Sequence, residues 1–330
     1  MQNKRIFSSF VFFLIGVTLF WFVYRDFDFT ELKSTLKDIR YGWVILSIGF
    51  GMVSHYFRAL RWKLIITPIG HEPRLINLYL SVIVLYFTNL IIPRGGELAR
   101  CAVITRYEGI HFIKLTGTVL VERIVDLLMF LLIFLVLIIG QFQFFNTIFN
   151  YPEFKFDFSS INNKYIPILV SIFSTGILIL VLGRVGVFKK IRGKLKKARN
   201  DFIEGTSAIA HMEGRILFLV YTLLIFFSWF LMLYMMFFAY PATINLSFMA
   251  AILTYTLANL AYLLPIQAGI GTWHFIVISC LFFYGIDKET GMIFALIAHT
   301  FTNLIYLALG PLALSMLPVI NSVKEKKKQV

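Results

Sequence analysis

The chain has 330 residues, 59% of them hydrophobic, and a net charge of +14. That composition excludes an ordinary soluble domain, and no long polar stretch remains to bury a core of its own. Lys and Arg fall in short loops between apolar runs. This is the pattern of a cytoplasmic membrane face rather than of a nucleic-acid partner. The two cysteines, Cys101 and Cys280, have no metal or redox spacing, so a disulfide framework is not expected.

In chain order, Ile6 to Tyr24 is long enough to span and is followed by no small-residue cleavage site. Between Arg25 and Arg40, Phe29, Leu32, Leu36 and Ile39 recur at three or four residues. They predict a short helix on the membrane surface. Tyr41 to Phe57 is the second span, with Trp43 as an interfacial anchor, and Arg58, Arg61 and Trp62 then mark a cytoplasmic edge. Leu75 to Ile92 is apolar and runs into a break at Pro93, Arg94, Gly95 and Gly96. Leu115 to Gly140, Ile166 to Gly183, Ile216 to Tyr240 and Leu246 to Leu264 follow as spans. The last of these breaks at Pro265 to Gly271, before Trp273 to Ile286 and Gly291 to Leu317. Residues 184–215 form a basic amphipathic cytoplasmic segment, and residues 319–330 a basic tail.

Nine apolar runs cannot leave both termini on one side. The conflict falls between two basic loops, Arg58 to Arg74 and Arg94 to Lys114. It is resolved if Leu75 to about Arg106 dips in and returns. The expected fold is therefore all-α and polytopic: a single domain over 1–330 with about eight transmembrane helices and a re-entrant, broken helix pair. Both termini are expected in the cytoplasm. A weaker echo links Asn89–Pro93–Gly95–Gly96 to Asn259–Pro265–Gly269–Gly271, one break in each half.

The residues able to carry chemistry cluster at the breaks. Glu97 and Arg100 are three apart on one helical face, and Arg94 precedes them. Paired guanidinium groups at a break suit a phosphate. Glu122 and Asp126 are four apart with Arg123 beside them, and one reading pairs this cluster with Arg94 or Arg100. Another leaves it at the membrane edge. These six are the candidate substrate-binding residues. Asn89, Pro93, Gly95, Gly96, Pro265, Gln267, Gly269, Gly271, His274, His299 and Asn303 are candidates for the helix breaks and the cavity they open. Asn259 and Gln267 could bond the backbone freed at the second break. No metal-ligand spacing, nucleophile elbow, phosphate loop or dinucleotide fingerprint is present, so no catalytic residue, metal or cofactor is expected.

These motifs, taken together, resemble the transmembrane region of lysylphosphatidylglycerol synthases, including its stand-alone flippase-like members. The resemblance rests on R-A-L-R-W at Arg58 to Trp62, N-x-x-x-P-R-G-G-E-x-x-R at Asn89 to Arg100, and E-R-x-x-D at Glu122 to Asp126. It continues through P-x-x-x-G-x-G at Pro265 to Gly271, then His299, Asn303 and Gly310. The chain departs from the family pattern at His274, where a Glu is usual, and near His299, where a basic residue is common. The resemblance implies a bacterial inner-membrane protein that moves an anionic or aminoacylated phospholipid, or another lipid-linked head group, between leaflets. It also implies that the soluble synthase domain is lacking. Two other classes are open: a membrane-embedded lipid or polyprenyl-phosphate transferase, and a scaffold for a separate lipid-modifying enzyme.

Overall fold

The computed structural model describes residues 17–18, 20–25, 27, 29–140, 200–204, 206–207, 212–263 and 266–328. The expected span Ile166 to Gly183, the basic helix around residues 189–199 and most of the first span lie outside these residues. Contacts divide the chain into two units, 1–130 with 202–330, and 131–201. Both helix breaks and all the charged motifs around them belong to the first unit.

The described residues form helices and no strands. We label them α1 (Phe29–Asp38), α2 (Tyr41–Ile66), α3 (Leu75–Ile91), α4 (Gly96–Glu108), α5 (Phe112–Gly140), α6 (Arg215–Ala239), α7 (Phe248–Leu260), α8 (Thr272–Phe283) and α9 (Lys288–Lys328). Four stretches are long and apolar enough to cross a bilayer: Tyr41–Ile69, Phe112–Gly140, Arg215–Ala239 and Lys288–Ser322. Helices α3, α7 and α8 are apolar but shorter. The chain is thus an all-α polytopic membrane protein with a broken helix pair.

Two elements differ from the sequence reading. The apolar stripe of α1 is turned into protein: Leu32 and Leu36 pack against the core that buries Ile39. Helix α2 does not end at Phe57 but continues to Ile66, where Pro68 and the left-handed Gly70 stop it. Arg58 and Arg61 therefore lie inside a helix rather than beyond its end.

Small residues let α2 and α6 approach closely. Ser47 Oγ donates to Met232 O at 2.6 Å, and a Cβ on Gly51 would lie 2.9 Å from Met232 Sδ. Helices α3 and α4 form an antiparallel hairpin. At its tip the amide of Gly96 donates to Asn89 Oδ1 at 2.9 Å, and the backbone of Gly96 lies against Leu85 O. At its base Asn77 Nδ2 donates to Glu108 Oε1 at 2.5 Å. Asn77 and Asn321 exchange amide hydrogen bonds at 2.9 and 3.0 Å, which fastens the base to α9.

The hairpin stops part-way up the bundle. Tyr86 stacks on His55, which lies about 16 Å from the base end of α2, and only five residues of α3 remain beyond Tyr86. The tip therefore rises about 24 Å, against about 39 Å for α2. A helix pair that enters and turns short of the far end has the re-entrant form expected from the charge pattern.

Candidate functional site

The basic and acidic residues buried in this frame form one network. Helix α2 presents Arg58 and Arg61, three apart and hence on one face. Helix α4 presents Glu97 and Arg100, and α5 presents Glu122, Arg123 and Asp126. The starting points of α4 and α5 set this convergence: Gly96 places Glu97 and Arg100 in the first turns of α4, where it descends beside α3.

Glu122 is the hub. It has no exposed side-chain surface; its Oε2 accepts from Arg100 Nη2 at 2.5 Å and its Oε1 from Arg61 Nε at 3.3 Å. Asp126 Oδ2 accepts from Arg58 Nη2 at 3.0 Å, and its Oδ1 pairs with Arg61 Nη1 at 2.7 Å. Arg100 Nε is 2.7 Å from Glu97 Oε2. Arg123 joins Glu97 to Asp126, with Nη1 3.4 Å from Glu97 Oε1 and Nη2 2.9 Å from Asp126 Oδ2.

Neutral groups complete the cage. Tyr86 OH accepts from Arg58 Nη1 at 2.6 Å, and Thr222 Oγ1 from Arg61 Nη1 at 3.2 Å. The Arg100 guanidinium lies 4.3 Å over Trp62, whose Nε1 donates to Thr118. Arg58 lies 5.2 Å over Trp229. Such contacts lower the cost of holding cations away from water.

Exposure is graded across the network. Arg61, Arg100 and Glu122 are 0% exposed, Asp126 13%, Glu97 24% and Arg123 40%. The site is closed on the α2 side and opens past Arg123, beside the exposed apolar residues Leu120, Ile124 and Leu127 of α5. Four guanidinium groups face three carboxylates, which leaves one positive charge in excess. Arg58 Nε, Arg100 Nη1 and Arg123 Nε are buried and have neither a hydrogen-bond nor an ion-pair partner among the described residues.

Depth follows from helix rise. Arg58 is about 12 Å from the base end of α2, and Glu122 and Asp126 about 15 and 21 Å from the start of α5. Arg58, Glu122 and Asp126 therefore lie about a third to half of the way along their helices, inside the bundle rather than beyond its end.

Of the six candidate binding residues, Glu97, Arg100, Glu122, Arg123 and Asp126 meet here. Arg94 is placed apart from these buried side chains. It is exposed at the hairpin tip with a left-handed φ of 57°, between Pro93 and Gly95. Arg58, Arg61, Tyr86 and Thr222 were not among the candidates. The available signal was Arg58 and Arg61 at helical spacing within an unbroken run that continues through Leu64, Ile65 and Ile66.

The second break carries no acidic or basic side chain other than histidine, and its turn at Gln267–Gly269 packs against α3. Pro265 and the side chain of Gln267 lie outside the described residues. Ala268, Gly269 and Gly271 have φ of 49°, 70° and 81°. His299 Nε2 donates to Ala268 O at 2.8 Å, and the His274 and His299 rings are 4.5 Å apart. Gly271 N donates to His274 Nδ1 at 3.4 Å. Asn259 and Asn303 bond carbonyls of their own helices, those of Tyr255 and His299. The freed backbone is thus served by His299 and not by Asn259.

Residues 9–310 match the model of the lysylphosphatidylglycerol synthase transmembrane region. The chain belongs to this family. It is also similar to a UPF0104 membrane protein of Methanocaldococcus jannaschii, 27% identical over 145 residues, a stretch covering 43% of each chain. No solved structure matches the chain.

Proposed function

We propose that this family member binds the phosphate of a phospholipid or lipid-linked head group at the Arg58–Arg61–Arg100–Arg123 cluster and moves it between leaflets. The observation that carries the reading is a desolvated ion network inside the helix bundle, with one cation in excess and three buried guanidinium nitrogens lacking partners among the described residues. Intramembrane charge of this kind is costly and marks substrate pathways. Arg is suited to phosphate because its planar fork offers two parallel donors.

In this reading the head group enters past Arg123, exchanging a phosphate oxygen for the carboxylates of Glu97 and Asp126. Arg100 and Arg58 then receive it while the acyl chains stay in lipid. Glu122 remains paired throughout and keeps the arginines from repelling one another. The basic base of the bundle, with Lys63, Arg74, Arg106, Lys114 and Arg215, faces the cytoplasm by charge. The membrane would be the bacterial inner membrane, and the lipid an anionic or aminoacylated one. A separate lipid-modifying enzyme is a candidate partner that would supply it.

A leaflet assay in reconstituted liposomes tests this. Head-group-labelled phosphatidylglycerol, its lysyl derivative and a polyprenyl phosphate are supplied separately to wild-type protein, Arg123→Gln and the Arg94→Ala/Arg100→Ala double variant. Arg123 lies at the rim, so its variant leaves the buried pairs intact. The expected result is movement of at least one lipid, slowed about tenfold or more by Arg123→Gln, as befits a lost charge-assisted contact. Equal rates in wild type and a folded Arg123→Gln variant overturn the entry route. No movement of any lipid by folded wild-type protein overturns translocation.

A further inference from the structure

A second lipid-contacting feature lies away from the ion network. A groove of about 340 Å³ runs along the outer face of α8, between the helix containing residues 20–24 and the start of α9. Its apolar lining includes Phe22, Phe275, Ile278 and Phe282, with the exposed Ser279 beside them and Lys288 at one end. Phe275 and Phe282 are two turns apart, so the groove is about 10 Å long, and its volume is at the small end for ligand pockets. Those dimensions suit one acyl chain and not a whole lipid.

The charges flanking the groove are cationic. Lys288 is exposed at the first position of α9, and the Arg25 guanidinium lies 5.1 Å over the ring of Phe22. The neighbouring carboxylate of Asp287 is engaged locally, accepting from the amide of Thr290 at 2.9 Å, and Glu289 does not line the groove. Tyr24 OH donates to Met292 O at 3.1 Å, which holds the two walls together.

The geometry points to a seat for one phospholipid of the leaflet at the Lys288 end of the bundle, opposite the Asn77–Glu108–Asn321 base. One acyl chain lies between Phe275 and Phe282, and the phosphate is held by Lys288. Apolar surface and a cation at the end of a span are together what such a lipid recognises. The seat backs directly onto the second break, because Phe275 follows His274 and Tyr24, whose ring is 5.6 Å from that of His274, follows Val23. It is independent of the proposed head-group pathway.

The test uses full-length protein in liposomes doped with phosphatidylglycerol bearing a photoreactive acyl chain, and in parallel with diacylglycerol bearing the same chain. Cross-linked peptides are mapped by mass spectrometry. The expected result is labelling of residues 275–292 several-fold above the exposed face of α6 at Leu219 and Leu223. Lys288→Glu should lower it about fivefold or more, as loss of a near-surface cation predicts. Ser279→Trp, which fills the groove from an exposed position, should abolish it. Equal labelling of α6 and α8 overturns the seat as ordinary boundary lipid. Equal labelling by diacylglycerol, or no response to Lys288→Glu in folded protein, overturns the phosphate contact. Neither result bears on transport through the ion network.

Discussion

The two helix breaks use the same backbone device for opposite purposes. Each interrupts an apolar helix and each holds a non-glycine residue at positive φ, Arg94 in one and Ala268 in the other. The first is followed within a turn by Glu97 and Arg100, and its hairpin delivers them into a network of seven charges. The second is stitched by an imidazole, His299 to Ala268 O, and packed with Trp273, Tyr24 and Phe20. A break frees polar backbone in either case. What differs is whether the surrounding helices bring charge or rings to it, and that decides whether the place can hold an ion.

The sharpest way to break this comparison is to remove a charge at the hub. Glu122→Ala leaves Arg61 and Arg100 buried against each other. It should destabilise the protein by about 3–5 kcal/mol, read by thermal unfolding in detergent. Glu122→Ala combined with Arg100→Ala should recover part of that loss. If Glu122→Ala unfolds like wild type, the first break is no more ionic in character than the second.

Backbone approach comes next. A Cβ on Gly96 would collide with Leu85 O and the Asn89 side chain, so Gly96→Ala should cost about 1–3 kcal/mol and loosen the hairpin tip. Protection of the Gly96 amide in hydrogen exchange reports it. At the second break His299→Phe keeps the ring but loses its bond to Ala268 O. A loss of about 1–2 kcal/mol is expected, with transport through the ion network retained. Similar loss of transport in His299→Phe and Arg123→Gln would show that the two breaks act as one site.

Two smaller effects sharpen the picture. Arg94→Gly relieves the left-handed conformation and should stabilise the fold by about 1 kcal/mol, whatever it does to transport. At the start of α9, Asp287→Ala should cost about 0.5–1 kcal/mol through loss of a helix cap. The amide and hydroxyl of Thr290 hold the Asp287 carboxyl below the usual carboxylate range. Its contribution is therefore full above the unfolded-state value and is lost as pH falls through the folded one. Unfolding curves of wild type and Asp287→Ala should converge in acid and separate toward neutral pH.

Much of the architecture was written in one dimension. Apolar runs of span length, the basic loops between them and the Pro-Gly interruptions are local properties. They point to an all-α membrane protein with a hairpin turning near Pro93 and Gly95. Spacing also put Glu97 with Arg100, and Glu122 with Asp126, on single faces. The identity of the partners depended on the fold. Arg58 and Arg61 read as a cytoplasmic edge because a charge after an apolar run ordinarily meets water. Only the convergence of α2, α3, α4, α5 and α6 puts carboxylates, Tyr86 and Thr222 around them, so that burial inside the bundle replaces exposure at its end. The surface helix α1 changed its reading for the same reason. An apolar stripe specifies that a face is buried, whereas lipid or protein as its cover is settled by which helices pack beside it. Periodicity and charge are carried by neighbours in sequence; ion pairing inside the bundle is carried by neighbours in space, as in the bond from Arg61 on α2 to Glu122 on α5.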